Sequence, residues 1–134
     1  MRSLDDIDDT FDIGGDLTVN RLGFGAMRIT GPGVLGHPDD PVEASRVLAR
    51  ALELGVDFVD TADAYGPGTN ERLLAEAGIP DDAVVATKGG FLRSPDGDWL
   101  RRGDPDYLRN AALCSLDRLG VDAIDLYQYH APDP

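Results

Sequence analysis

The chain has 134 residues, with 25 Asp and Glu against 12 Lys and Arg, a formal net charge of −13. That length holds one domain with a genuine core, and is too short for two. A surface this acidic repels nucleic acid and anionic membranes, and no basic stripe overrides it.

No apolar run approaches the roughly 18 to 20 residues of a spanning helix. Residues 1–9 carry acid where a secretory signal would need an apolar stretch, so the expected compartment is the cytoplasm. The single cysteine, Cys114, excludes an intrachain disulfide and a cysteine-built metal site. It falls in a helical pattern as a packing or surface residue.

In chain order, residues 1–9 read as an acidic tail and 10–134 as one domain. Residues 10–13 and 17–20 are short β-like runs around Gly14-Gly15-Asp16, a hairpin signal. Residues 22–27, Leu-Gly-Phe-Gly-Ala-Met, make a glycine-spaced strand, where glycine marks either a close-approaching ligand or a crowded barrel corner. A loop rich in Gly and Pro follows over 30–38, with His37 expected in solvent.

Asp39 or Asp40 caps the first helix, Pro41 fits its first turn and Gly55 ends it. Ala44, Val47, Leu48, Ala51 and Leu52 share its apolar face, and Arg46 and Arg50 lie on the solvated side. A strand over 56–59 ends at Asp60. The second helix runs from Asn70 to about Ala77, stopped by Gly78 and Pro80. A strand over 83–87 ends at Lys88, and 89–103 reads as a long irregular segment containing Trp99. Asp104-Pro105 opens a third helix that buries Leu108, Ala111, Ala112, Ser115, Leu116 and Leu119 and closes at Gly120. The last strand, 123–129, leads to His130.

Strands alternating with amphipathic helices imply a parallel sheet with right-handed crossovers, either doubly wound or part of a (β/α)8 barrel. The segment Gly23-Phe24-Gly25-Ala26-Met27-Arg28 lacks the third glycine of a dinucleotide-binding turn, and the loop after it is too long. The barrel reading puts Asp60, Tyr65, Lys88 and His130 at strand C-termini, on the face where barrel active sites lie.

Those residue types suit carbonyl chemistry. A phenol is a weak acid with a reference pKa near 10, and a neighbouring ammonium favours its phenolate. A carboxylate holds the ammonium in place, and an imidazole orients a carbonyl. Such a set can protonate a carbonyl oxygen while hydride, supplied by a cofactor, arrives at carbon. Taken singly, each residue also has a structural reading: Asp60 as a loop cap, Tyr65 as rim packing, Lys88 as a surface charge, His130 as a partner of nearby backbone. Asp63 reads as a loop hydrogen-bonder.

The segments 22–27, Phe58-Val59-Asp60-Thr61-Ala62-Asp63-Ala64-Tyr65-Gly66, Ala86-Thr87-Lys88 and Asp125-Leu126-Tyr127-Gln128-Tyr129-His130 resemble, in order and spacing, the aldo-keto reductases. Residues 19–27 and 31–36 are similar to the pyridoxal reductases of that family. The resemblance implies the N-terminal half of a (β/α)8 TIM barrel preceded by a β-hairpin. It also implies NADPH-dependent reduction of aldehydes and ketones without a metal. Tyr65 then corresponds to the general acid, Lys88 and Asp60 to the pair that tunes it, and His130 to the residue orienting the carbonyl. Gly25, Ala26 and Met27 correspond to the strand end approaching the nicotinamide ribose and pyrophosphate.

A whole barrel needs about 250 residues, so the chain is expected to be cut off after the fourth barrel strand, without most of the NADPH site. The expected consequences are inactivity alone and association, with itself or a complementing half, through open sheet edges. Two other functions remain open, a non-catalytic half-barrel binding or assembly module and a metal-free isomerase barrel.

Overall fold

The computed structural model describes residues 10–132. The tail assigned to residues 1–9 lies outside them. Strands β1 (Thr10–Ile13) and β2 (Leu17–Asn20) pair antiparallel, with Thr10 opposite Asn20. Gly14 and Gly15 turn the chain with φ of 67° and 87°, the conformation such turns require. The hairpin is tied down at Asn20, whose backbone N–H donates to Asp57 Oδ1 and whose side chain donates to Gly55 O, both at 2.8 Å.

A parallel sheet follows, built from β3 (Phe24–Gly25), β4 (Phe58–Asp60), β5 (Val84–Gly89) and a last strand described below. Helix α1 (Pro41–Glu53) connects β3 to β4, and α2 (Thr69–Ala77) connects β4 to β5. After β5 comes an antiparallel hairpin of β6 (Phe91–Arg93) and β7 (Trp99–Arg101). Helix α3 (Pro105–Leu119) then leads to β8 (Leu126–Tyr129), which pairs parallel to β5. The strand order β3-β4-β5-β8 follows the chain without reversal. A doubly wound sheet reverses its order at a switch point, whereas a (β/α)8 barrel advances steadily. The order is the barrel's.

Local chemistry places the helix ends. Asp40 accepts from the Glu43 N–H at 3.0 Å and Asp104 from the Tyr107 N–H at 2.9 Å, each followed by proline in the first turn. These are side-chain caps satisfying otherwise orphaned helix donors. Gly78 and Gly120 stop α2 and α3 in the left-handed conformation, at φ of 74° and 69°. The core lies between sheet and helices, with Ala26, Ile29, Ala44, Leu48, Val59, Leu73, Leu74 and Leu119 in one cluster.

Four expectations need correction. Residues 22–27 form a strand only at Phe24–Gly25; Ala26–Ile29 is a 3-10 turn. Asn70 Nδ2 captures the Ala26 carbonyl at 2.8 Å, so the chain bends there instead of extending. The flanking strands start later than expected, at Phe58 and Leu126. On α1 only Ala44 and Leu48 are buried, and Val47 is 42% exposed. The segment 89–103 is not irregular. Ser94-Pro95-Asp96-Gly97 makes a turn, with Gly97 at φ 94° and Ser94 N–H donating to Asp98 O at 3.1 Å, and the flanks pair as β6 and β7.

Candidate active site

Asp60 ends β4, Lys88 lies near the end of β5, and His130 follows β8 directly. In the parallel register Gly25 lies opposite Asp60, Asp60 opposite Ala86, and Lys88 opposite Gln128. All three groups therefore emerge at one end of neighbouring strands. Tyr65 comes from the loop after β4 and is buried, at 6% exposure.

That loop is braced from several sides. Thr61 N–H donates to Ala86 O at 2.8 Å and Asp63 N–H to Lys88 O at 3.1 Å, which continues the β4–β5 pairing beyond the strand. Thr61 Oγ1 donates to Asn70 Oδ1 at 2.6 Å. Gly66 has φ 92°, and a Cβ built there would lie 2.5 Å from the Thr69 Cβ. Only glycine follows Tyr65 without strain.

The Lys88 ammonium has three N–H bonds to give. Its Nζ lies 2.6 Å from Asp60 Oδ2, 2.7 Å from Thr61 O and 3.4 Å from Tyr65 Oη. Since Tyr65 Oη accepts from lysine, its own proton stays available to an acceptor in front of it. His130 stands edge-on to the Tyr65 ring, with centroids 5.7 Å apart. Its backbone N–H donates to Gly89 O at 2.9 Å, while Nδ1 is buried without a hydrogen-bond partner among the described residues. Burial and then the Lys88 ammonium push the imidazole below its ordinary value near 6.5, and the Asp60 carboxylate works against them. Near neutrality the imidazole is uncharged, fit for a hydrogen bond to a neutral oxygen.

The glycine-spaced first strand serves both of its possible uses. A Cβ at Gly23 would lie 2.9 Å from the Phe58 ring, so Gly23, just before β3, answers close approach by the neighbouring strand. Gly25 has open space around it, is exposed, and sits beside Asp60. Met27 packs against the Val34, Ala62 and Tyr65 cluster. Ala26 is fully buried and its carbonyl is taken by Asn70. Of that trio, Gly25 and Met27 border the site, and Ala26 belongs to the core.

Behind the loop, Glu71 is completely buried. Its Oε2 accepts from Arg118 Nε at 2.5 Å and its Oε1 from Thr87 Oγ1 at 2.6 Å. Asp63 is also buried, and its Oδ1 has no partner among the described residues. Tyr107 Oη is 3.5 Å from Asp63 Oδ2 but 3.1 Å from the carbonyl of Phe91. Burial first, then the charge of Glu71, raise the Asp63 carboxyl from 3.8 to about 6.

Sequence reasoning missed the aromatic wall. Trp99 meets Tyr65 and His130 edge-on at centroid distances of 6.3 and 6.2 Å, and Phe91 meets His130 at 4.8 Å. The signal was present. Pro95-Asp96-Gly97 between Phe91-Leu92-Arg93 and Trp99-Leu100-Arg101 is a hairpin pattern.

A steadily advancing parallel α/β sheet of barrel type, with acid–base groups gathered at strand C-termini, defines the class of this protein. The family model for the aldo/keto reductase family matches residues 21–134. The chain belongs to the aldo/keto reductase family.

It is 48% identical over 121 residues to an uncharacterised oxidoreductase of Schizosaccharomyces pombe, covering 90% of this chain and 40% of that protein. It is 44% identical over 114 residues to pyridoxine 4-dehydrogenase of Escherichia coli, covering 84% and 40%. A third relative, an aldo-keto reductase of Schizosaccharomyces pombe named for NADP(+), is 38% identical over 123 residues, covering 88% and 35%. The solved glycerol dehydrogenase of Gluconobacter oxydans superposes with a TM-score of 0.80 at 35% identity, covering 93% of this chain and 40% of that one. The chain thus spans about 40% of the length of its first two relatives.

Proposed function

We propose that the protein carrying this chain reduces aldehydes and ketones with NADPH, and that Tyr65 is its general acid. The observation that carries the proposal is the hydrogen-bonded line from Asp60 through Lys88 to Tyr65, with the His130 ring beside the phenol.

In this reading a substrate carbonyl oxygen sits between Tyr65 Oη and the His130 ring. Tyr65 gives its proton to that oxygen, and the Lys88 ammonium stabilises the negative charge developing on the phenol oxygen. Asp60 keeps the ammonium in place. His130, uncharged, orients the carbonyl by a hydrogen bond and brings no competing positive charge. When bound, NADPH supplies the hydride that reaches the carbonyl carbon. Gly25 and Met27 fit one edge of a cofactor site, because Gly25 leaves open backbone beside Asp60. The name of the pyridoxine 4-dehydrogenase relative favours a pyridoxal-type aldehyde as substrate, and that of the third relative favours NADP over NAD.

The 134 residues by themselves are proposed to lack turnover, since β3 and β8 stand at the two ends of the sheet's strand order among the described residues. Those edges would meet further barrel strands, from the same protein or from another chain. The experiment is NADPH oxidation with pyridoxal or nitrobenzaldehyde, using the protein that contains this chain and its Tyr65→Phe variant. Undiminished reduction by the variant would sink the assignment.

A further inference from the structure

The β6–β7 hairpin has three residues in each strand, and a lone two-stranded hairpin is marginal in water. Arg93 fastens it. Its Nη1 donates to Val34 O at 2.8 Å and Ala64 O at 3.3 Å, and its Nη2 to Gly33 O at 2.8 Å and Gly97 O at 3.0 Å. The guanidinium carbon lies 3.8 Å from the centroid of the Trp99 ring. One side chain thus joins the 32–34 turn, the residue before Tyr65, the hairpin tip and the hairpin's aromatic ring.

Val34 gives an independent sign that this contact is built in. Its φ is 59°, a left-handed conformation that a β-branched residue avoids, and such strain persists where the surroundings over-determine it. The Val34 carbonyl accepts from both Arg93 and the Gly66 N–H, the latter at 3.1 Å. Its side chain packs with Ala62 against Tyr65. The clamp therefore reaches both the phenol's packing shell and the ring opposite. Lysine could not replace it, because a point charge lacks the planar fork that bonds two ways while stacking.

We propose that Arg93 is a positioning residue that sets Trp99 edge-on to Tyr65 and His130, and that the resulting aromatic wall makes the site prefer flat aromatic carbonyl compounds over aliphatic ones. The preference rests on the reductase reading above; the positioning does not. Phe91, Trp99 and His130 meet edge-on, with Phe91 and Trp99 centroids 5.3 Å apart. Contacts of this kind offer an aromatic substrate about two- to tenfold in affinity each, and an aliphatic one none of it.

The test uses the protein carrying this chain, with Arg93→Met and Arg93→Lys. Lysine keeps the charge and the stem in case the methionine variant folds poorly. KM and kcat are measured for nitrobenzaldehyde and butyraldehyde. Acrylamide quenching is measured for Trp99, the only tryptophan in these 134 residues, with Trp99→Phe as the subtraction. Both variants should raise the KM for nitrobenzaldehyde about tenfold and leave that for butyraldehyde unchanged. Tyr65 Oη is held by Lys88, not by Arg93, so kcat should stay within about threefold. Quenching of Trp99 should increase. Equal KM rises for the two aldehydes, or no rise, would overturn the preference. Unchanged quenching in both variants would overturn the positioning. If the unsubstituted protein reduces neither aldehyde, the reductase reading and the preference fall together, and quenching alone decides the positioning.

Discussion

Lys88 Nζ lies 3.4 Å from Tyr65 Oη although the residues are 23 positions apart in the chain. The other ammonium hydrogens go to Asp60 and Thr61. Lysine therefore faces the phenol as a donor, and the phenol keeps its own proton for a substrate. Tyr65→Phe removes that proton and little volume. In the protein containing this chain, kcat should fall by about 10²- to 10⁴-fold, with NADPH affinity nearly unchanged by fluorescence titration. Lys88→Met should act in the same direction. Asp60→Asn should cost less, because Thr61 O still holds the ammonium.

Asp63 should make stability fall as pH rises. Its folded-state pKa, about 6, lies above the reference value of 3.8, so the folded protein binds the proton more tightly than the unfolded chain does. That contribution is whole below about 3.8 and lost once pH has passed about 6. Asp63→Asn removes the buried charge. It should stabilise the protein by about 1–2 kcal/mol at pH 7.5, less than the pKa shift alone implies, since the amide nitrogen gains no partner at Oδ1. Urea titrations at pH 7.5 and pH 4 check this: the gain should vanish at the lower pH.

His130 works in the opposite sense. Burial and Lys88 hold its folded-state value below 6.5, so folding favours the neutral ring. The stability associated with it is complete above about 6.5 and lost as pH falls through the lower folded value. His130→Gln has no such proton to take up. The Tm of the unsubstituted protein should therefore drop relative to the glutamine variant as pH goes from 7.5 to 5. A constant difference across that range would mean the imidazole titrates as it does in the unfolded chain.

Glu71 and Arg118 join α2 to α3 behind the Tyr65 loop. Arg118→Met leaves a carboxylate with no exposure and no cation, which should cost about 3–5 kcal/mol. Glu71→Gln keeps the Thr87 contact and should cost less. Chemical denaturation measures both, and a loss below about 1 kcal/mol for Arg118→Met would place the pair among those of little energetic weight.

Much of the architecture was legible because it is written in local chemistry. Asp40-Pro41 and Asp104-Pro105 announce helix starts, Gly78 and Gly120 announce stops, and the Gly14-Gly15 turn announces a hairpin. Asp60, Lys88 and His130 were readable because a strand's end can be counted along the chain. The 3-10 turn at Ala26 was not legible, since it depends on Asn70 reaching back across 44 positions. The β6–β7 hairpin carried a turn signal, but its strands are only three residues each, too short to show an alternating pattern. Nothing in the sequence set Arg93 apart from the other charged residues of 89–103.

By itself, then, the sequence determined most of the succession of strands and helices, the net negative charge, the family and the residues proposed as acid–base groups. These depend on residue identity and near neighbours. Only the tertiary structure decided that Lys88 divides its protons among Asp60, Thr61 and Tyr65, that Asp63 is a buried carboxylate with an orphan oxygen, and that Arg93 spans four segments to hold Trp99 over the site. Hydrogen bonds and desolvation act over a few ångströms of space. Which groups come that close is settled by how helices and hairpin pack on the sheet, and no local reading of the chain contains it.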